Sequence, residues 1–170
     1  MTLDDFNALP DDHAAEALTS CCGAHRWVAA MLTRRPFESV EGMIDAANET
    51  WRATAERDWR EAFDHHPRIG ESRSAVAQGH RAATWSAGEQ ARAAAADDAV
   101  KRQLAEVNTA YESRFGHIYI VCAAGRSADE LLAIVRSRLD NDPATELRVA
   151  AEEQRKITEL RLRKLFSEAT

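Results

Sequence analysis

Four prolines and seven glycines are all that interrupt this 170-residue chain, so there are few points at which a helix is forced to stop. Proline removes a backbone donor and clashes with the preceding turn, and glycine weakens a helix more than any other residue but proline. Alanine is abundant and most apolar residues recur at helical spacing, which predicts an all-α fold. The length suits a single compact domain spanning residues 1–170, with about eight helices and a core large enough to need no disulfide or metal staple. Thr2 is placed to cap a short first helix ending near Pro10, and Asp11 and Asp12 fall in the first turn of the next, where acidic groups oppose the helix dipole. Cys22 to Arg34 puts Trp27, Val28, Met31 and Leu32 on one face and stops before Pro36. Ser39 to about Phe63 reads as one long or two jointed helices, with Val40, Met43, Ile44, Ala47, Trp51 and Trp59 inward.

A polar passage, Ser72 to Thr84, follows, with a break at Gly79-His80, and helix is expected to resume at Ser86 and run through the alanine-rich residues 91 to 96. Asp97 or Asp98 restarts it, and Val100, Leu104, Val107 and Tyr111 continue an apolar stripe. Ser127 and Glu130 have the spacing of a capping box, and Asp142-Pro143 places a capping side chain and a first-turn proline at the start of the last helix. One segment departs from helical patterning. Ile118-Tyr119-Ile120-Val121-Cys122 is β-branched and aromatic, between Gly116 and Gly125. With no second candidate strand to pair with, it reads as a short extended, buried passage near residues 117 to 123.

The net charge of −6 argues against general binding of nucleic acid or an anionic membrane surface, because neither attracts an acidic protein. Cys21, Cys22 and Cys122 are odd in number, two of them adjacent, and suit small buried side chains in a reducing compartment. The start, Met1-Thr2-Leu3-Asp4-Asp5, lacks the pattern of a signal peptide, and no apolar run reaches the roughly 18 to 20 residues a bilayer crossing needs. The expectation is a cytoplasmic protein.

The chemistry-bearing candidate is His65-His66-Pro67, which follows a tryptophan-rich helical segment and stops it, because proline disfavours helical geometry at the residue before it. An imidazole is thereby presented by a stiff unit. Ser86-Ala87-Gly88-Glu89-Gln90 is the second candidate, reading locally as a capping box whose free backbone N–H groups would attract an anion. No HExxH, no clustered Cys/His spacing and no histidine pair four apart supports a metal site; His65 and His66 point about 100° apart on a helix. His13 and His25 read as surface or helix-end residues, and burial in its apolar run would make the Cys122 thiol inert. These residues by themselves leave three readings open: acid–base catalysis by His66 with Glu89, a non-catalytic helical binding module in which His66 merely ends a helix, and a metal-dependent hydrolase on a helical bundle.

The set of His66-Pro67, Ser86-x-x-Glu89-Gln90, Asn108-x-x-Tyr111-x-x-Arg114-Phe115-Gly116, Gly125-Arg126-Ser127 and Lys156-Ile157-x-x-Leu160-Arg161-Leu162 resembles the 2-oxo-4-hydroxy-4-carboxy-5-ureidoimidazoline (OHCU) decarboxylase family. It does so in order and over nearly the whole chain. The resemblance implies an all-helical, cofactor-free and metal-free carboxy-lyase of urate breakdown, commonly a homodimer, that converts OHCU to (S)-allantoin and carbon dioxide. It implies catalytic roles for His66 and Glu89. It also implies substrate contacts for Pro67, for Ser86, Ala87, Gly88, Glu89 and Gln90, for Tyr119, Ile120, Val121, Cys122 and Ala123, and for Arg161 in the last helix. Two departures stand out: His117-Ile118 replaces an aromatic-proline pair common in relatives, and the closing Ser167-Glu168-Ala169-Thr170 is not a peroxisomal address, which suits a bacterial cytoplasmic enzyme.

Overall fold

A computed structural model describes residues 1–69, 80–89 and 98–167. Among them the chain forms nine helices and no strand, in line with the expected all-α class: α1 (Leu3–Ala8), α2 (Asp11–Cys21), α3 (His25–Leu32), α4 (Val40–Arg52), α5 (Glu56–Asp64), α6 (His80–Glu89), α7 (Asp98–Phe115), α8 (Ala128–Arg138) and α9 (Pro143–Ser167). None of these helices is long and apolar enough to cross a membrane. Two units arise from this path: Phe63–Gln154, and Met1–Ala62 together with Arg155–Thr170.

In the unit holding the N-terminus, the short α1 is stabilised by its ends. The Thr2 side chain accepts from the Asp5 backbone, and the Asp5 carboxylate accepts from the Thr2 backbone. Ser39 caps α4 through the Gly42 backbone N–H. The stretch expected as one long or two jointed helices is two, α4 and α5. Trp27, Met31, Met43, Ile44, Ala47 and Trp51 are buried where the apolar spacing placed them, and the Trp27 indole donates to the Ala47 carbonyl at 3.1 Å. Phe6 packs edge-on against Phe166, with ring centroids 6.0 Å apart.

The other unit is built around Ile69, Leu104, Tyr111, Phe115, Tyr119, Val121, Leu131, Leu132 and Val135, with α7 packed on α8. Helix α7 is closed by Gly116, whose φ of +70° is the left-handed geometry of a helix terminus and whose N–H returns to the Glu112 carbonyl at 2.9 Å. The Ser127–Glu130 capping box opens α8, and Asp142 accepts from the Thr145 N–H where α9 begins at Pro143. Between α7 and α8 the expected extended passage is present: residues 118 to 123 carry no regular structure, and Tyr119, Ile120, Val121 and Ala123 are buried.

One expectation is overturned. Ser86 does not open a helix; α6 begins at His80, and Ser86 lies within it with Glu89 as its final residue. Nothing between Arg81 and Ala87 breaks a helix, since no proline or glycine intervenes, and a serine inside a helix is not in the extended geometry a cap requires. The anion-attracting N–H groups expected at Ser86 are therefore used inside the helix. The expected helix over residues 91 to 96 and the break at Gly79 lie outside the described residues.

A network that the sequence did not signal holds this unit together. Glu146, fully buried on α9, accepts from Arg138 Nε at 2.8 Å and from its Nη2 at 2.5 Å, from Asn141 Nδ2 at 2.8 Å, and from the Tyr111 hydroxyl. Arg138 also donates to the Ile120 carbonyl at 2.8 Å and lies over the Tyr119 ring at 4.9 Å. Removing one member of such a pair strands a charge without water. Arg138→Leu should lower the unfolding free energy by about 3–5 kcal/mol, and Arg138→Leu with Glu146→Leu by much less than the two single losses added. Urea denaturation followed by far-UV circular dichroism measures both.

Candidate active site

His66 follows the end of α5, and its backbone N–H donates to the Phe63 carbonyl at 3.0 Å while Pro67 restricts the next bond. Phe63 is fully buried and packs on the His117 ring with centroids 5.3 Å apart, so the start of this turn is anchored in the core. Both His66 and Pro67 are buried, with His66 only 7% exposed. The His66 Nε2 atom lies 2.7 Å from Gln154 Oε1. Gln154 belongs to α9 and has no exposed surface at all.

One residue earlier on the same turn of α9, Glu153 accepts the Cys122 backbone N–H at 2.8 Å. The passage 119 to 123 is thus fixed from two helices, by Arg138 of α8 at the Ile120 carbonyl and by Glu153 of α9 at the Cys122 amide. Among the described residues it has no strand partner, and side chains supply what a ladder would. The Tyr119 hydroxyl donates to the Leu131 carbonyl at 3.4 Å, and burial pushes its pKa well above the ordinary tyrosine range.

Glu89 at the end of α6 is half-buried and within electrostatic reach of Cys122. Burial above all, and then the carboxylates of Glu153 and Glu89, hold the Cys122 thiol above its ordinary pKa, against a backbone hydrogen bond from Ala124 and the charge of Arg126. The direction is the one expected of burial, although Cys122 is only partly buried. Ser86 is buried one turn before Glu89, and Ala87 and Gly88 are exposed; Gln90 lies outside the described residues. Of the residues singled out in the sequence, His66 is bonded to Gln154 of α9, the Cys122 amide to the adjacent Glu153, and the Cys122 thiol is within electrostatic reach of Glu89.

Arg161 falls in the other unit. It is buried, donates to the Ser20 carbonyl at 3.4 Å, and its charge acts on the neighbouring Cys22, whose thiol burial pushes up to about 11. His13 and His25 are exposed, as expected, and Cys21 and Cys22 are buried. Among the described residues no group of three or more His, Cys, Asp or Glu side chains is arranged to hold a metal ion.

Glu153 and Gln154 escaped the sequence reading, yet a signal existed. Gln154 occupies a core-face position of α9 on the spacing of the buried Ala150, Ala151, Ile157, Thr158 and Arg161, and a long polar side chain at such a position has a partner to serve.

The model of the OHCU decarboxylase family matches residues 7–163. The chain belongs to the OHCU decarboxylase family. Membership places it among the carboxy-lyases of urate breakdown. It is 40% identical over 149 residues to the uric acid degradation bifunctional protein TTL of Arabidopsis thaliana, a match covering 87% of this chain and 46% of that protein. This family member thus spans about half the length of the plant relative. To the 2-oxo-4-hydroxy-4-carboxy-5-ureidoimidazoline decarboxylase of Haloferax volcanii it is 28% identical over 172 residues, covering 98% of this chain and 97% of that one. A crystal structure of OHCU decarboxylase in the presence of (S)-allantoin superposes with a TM-score of 0.78 at 35% identity, covering 94% of this chain and 99% of that one.

The proximity of Glu89 to Cys122 can be read without substrate. Glu89→Gln removes a negative charge that disfavours the thiolate, so the Cys122 pKa should fall and its alkylation in mildly alkaline buffer should accelerate, as located by peptide mass spectrometry. An unchanged rate would show that Glu89 does not face that thiol.

Proposed function

We propose that residues 1–170 act as one decarboxylase domain that converts OHCU to (S)-allantoin and carbon dioxide, with His66 as proton donor and Glu89 as its acidic partner. The single observation that carries this reading is the buried imidazole of His66, tethered at Nε2 by Gln154. It gains weight from family membership, and from the crystal structure of a 35% identical OHCU decarboxylase having been obtained with (S)-allantoin.

The chemistry asks little more of a protein. The substrate carbon that carries both hydroxyl and carboxylate sits beside an imine. When the bond to the carboxylate breaks, its electron pair moves toward that imine and carbon dioxide leaves. The substrate is its own electron sink, so the reaction proceeds without metal or organic cofactor. What remains is an enol that must take one proton on one face of the carbon bearing the ureido group. A buried ring that cannot swing is suited to deliver it. In this reading Glu89 orients the ring or accepts from the ureido N–H groups, and Pro67, Ser86, Ala87, Gly88, Gln90 and the passage Tyr119, Ile120, Val121, Cys122 and Ala123 line the place where the ureidoimidazoline lies. Arg161 is proposed as a further substrate contact, with a homodimer as the working assembly and the cytoplasm as its place.

His66→Ala should lose about a hundredfold to ten-thousandfold in kcat while its far-UV spectrum keeps full helix content. Glu89→Gln should lose rate in the same direction, also without unfolding. The assay follows freshly generated OHCU by circular dichroism, because the uncatalysed decay gives racemic, optically silent allantoin and the enzyme a growing signal of one hand. Wild-type rates from folded His66→Ala would remove the proton-donor assignment.

A further inference from the structure

We infer that Gln154 is a positioning residue that holds the His66 ring as its Nε2–H tautomer and so makes Nδ1 the nitrogen through which the ring gives and takes a proton. This rests on the reading of His66 as the proton donor.

A glutamine with no exposed surface is costly to bury unless its amide is matched. A leucine would fill the same helix position with no such demand. The Oε1 atom of Gln154 stands 2.7 Å from His66 Nε2, and an amide oxygen can only accept, so the proton of a neutral ring lies on Nε2. The lone pair is then on Nδ1. When Nδ1 is protonated the same Nε2–H to Oε1 bond persists, because the imidazolium is a donor at both nitrogens. The ring can therefore pass between its two charge states without rotating. Its backbone end is held as well, by the Phe63 carbonyl and by Pro67.

The choice of a neutral amide at this position has a chemical sense. Glu153, its neighbour on the helix, is a carboxylate and serves a backbone amide, that of Cys122. A carboxylate on the imidazole would favour the charged ring and resist release of its proton; the amide orients the ring with far less bias toward either state. Donation from Nδ1–H to the enol carbon leaves the neutral Nε2–H ring, and solvent returns one proton to Nδ1 for each carbon dioxide lost.

The test begins with the wild-type protein labelled with ¹⁵N-histidine, the His66 signals being identified by their loss in His66→Gln. Above the ring's pKa, long-range ¹H–¹⁵N correlation should show a pyrrole-type Nε2 and a pyridine-type Nδ1. The opposite pattern overturns the inference, because it means that Gln154 presents its NH₂ group instead. In Gln154→Met the preference should relax toward a mixture, and kcat should fall at least about tenfold with KM changed by no more than about twofold. Gln154→Glu, which retains an acceptor, should recover the Nε2–H signature. Full kcat in folded Gln154→Met also overturns the inference while leaving the role of His66 intact, whereas full activity in His66→Ala removes the reading on which it rests. Should Gln154→Met fail to fold, the wild-type tautomer decides alone.

Discussion

Glu146 sits where no water reaches it, and much of the unit Phe63–Gln154 is arranged to answer its carboxylate. Arg138 brings it two donors, Asn141 one and the Tyr111 hydroxyl another, from α8, the turn after it and α7. The same guanidinium takes the Ile120 carbonyl and covers the Tyr119 ring. The extended passage 119 to 123 would otherwise bury backbone groups with no ladder to receive them, at a cost of the order of a hydrogen bond each. The ion pair is thus a structural substitute for a strand partner, and it fixes the course of that passage. A pair of this kind adds little to net stability compared with a hydrophobic replacement. Its contribution is to define where the passage runs.

The helices were legible wherever local chemistry decides them. Thr2, Ser39, Ser127 and Asp142 are caps in the structure because each is a short polar side chain just ahead of an apolar-periodic run. Pro10 and Pro143 stand at helix starts, and Pro67 follows the end of α5, for equally local reasons. The failure at Ser86 is instructive for the same cause. Ser-x-x-Glu is a cap only when the backbone before it is extended, and His80 to Trp85 has no residue that forces it to be. A capping box cannot be told from an interior Ser and Glu three apart by spacing alone.

The candidate site was legible in part. His66 stood out because a proline follows it, and Glu89 because of the set of family-like segments in which it lies. The buried polar side chains of α8 and α9 did not. Arg138, Glu146, Glu153 and Gln154 look on paper like the solvated face of two charged helices, and what distinguishes them is burial. Long-range pairing brings together residues 88 apart in the case of His66 and Gln154 and 31 apart for Cys122 and Glu153. No local pattern encodes that. Placing these polar residues on the apolar stripe of their helices, rather than reading the charges as surface, is the step that would have exposed them.

The attachments of His66 and of the Cys122 amide are consecutive residues of a single helical turn. Their separation along the axis is therefore one rise, about 1.5 Å, set by covalent geometry and not by the play of a loop. Helix α9 acts in this region as a ruler: a tremor of that turn carries the imidazole and the Cys122 amide with it, and the gauge between them is kept.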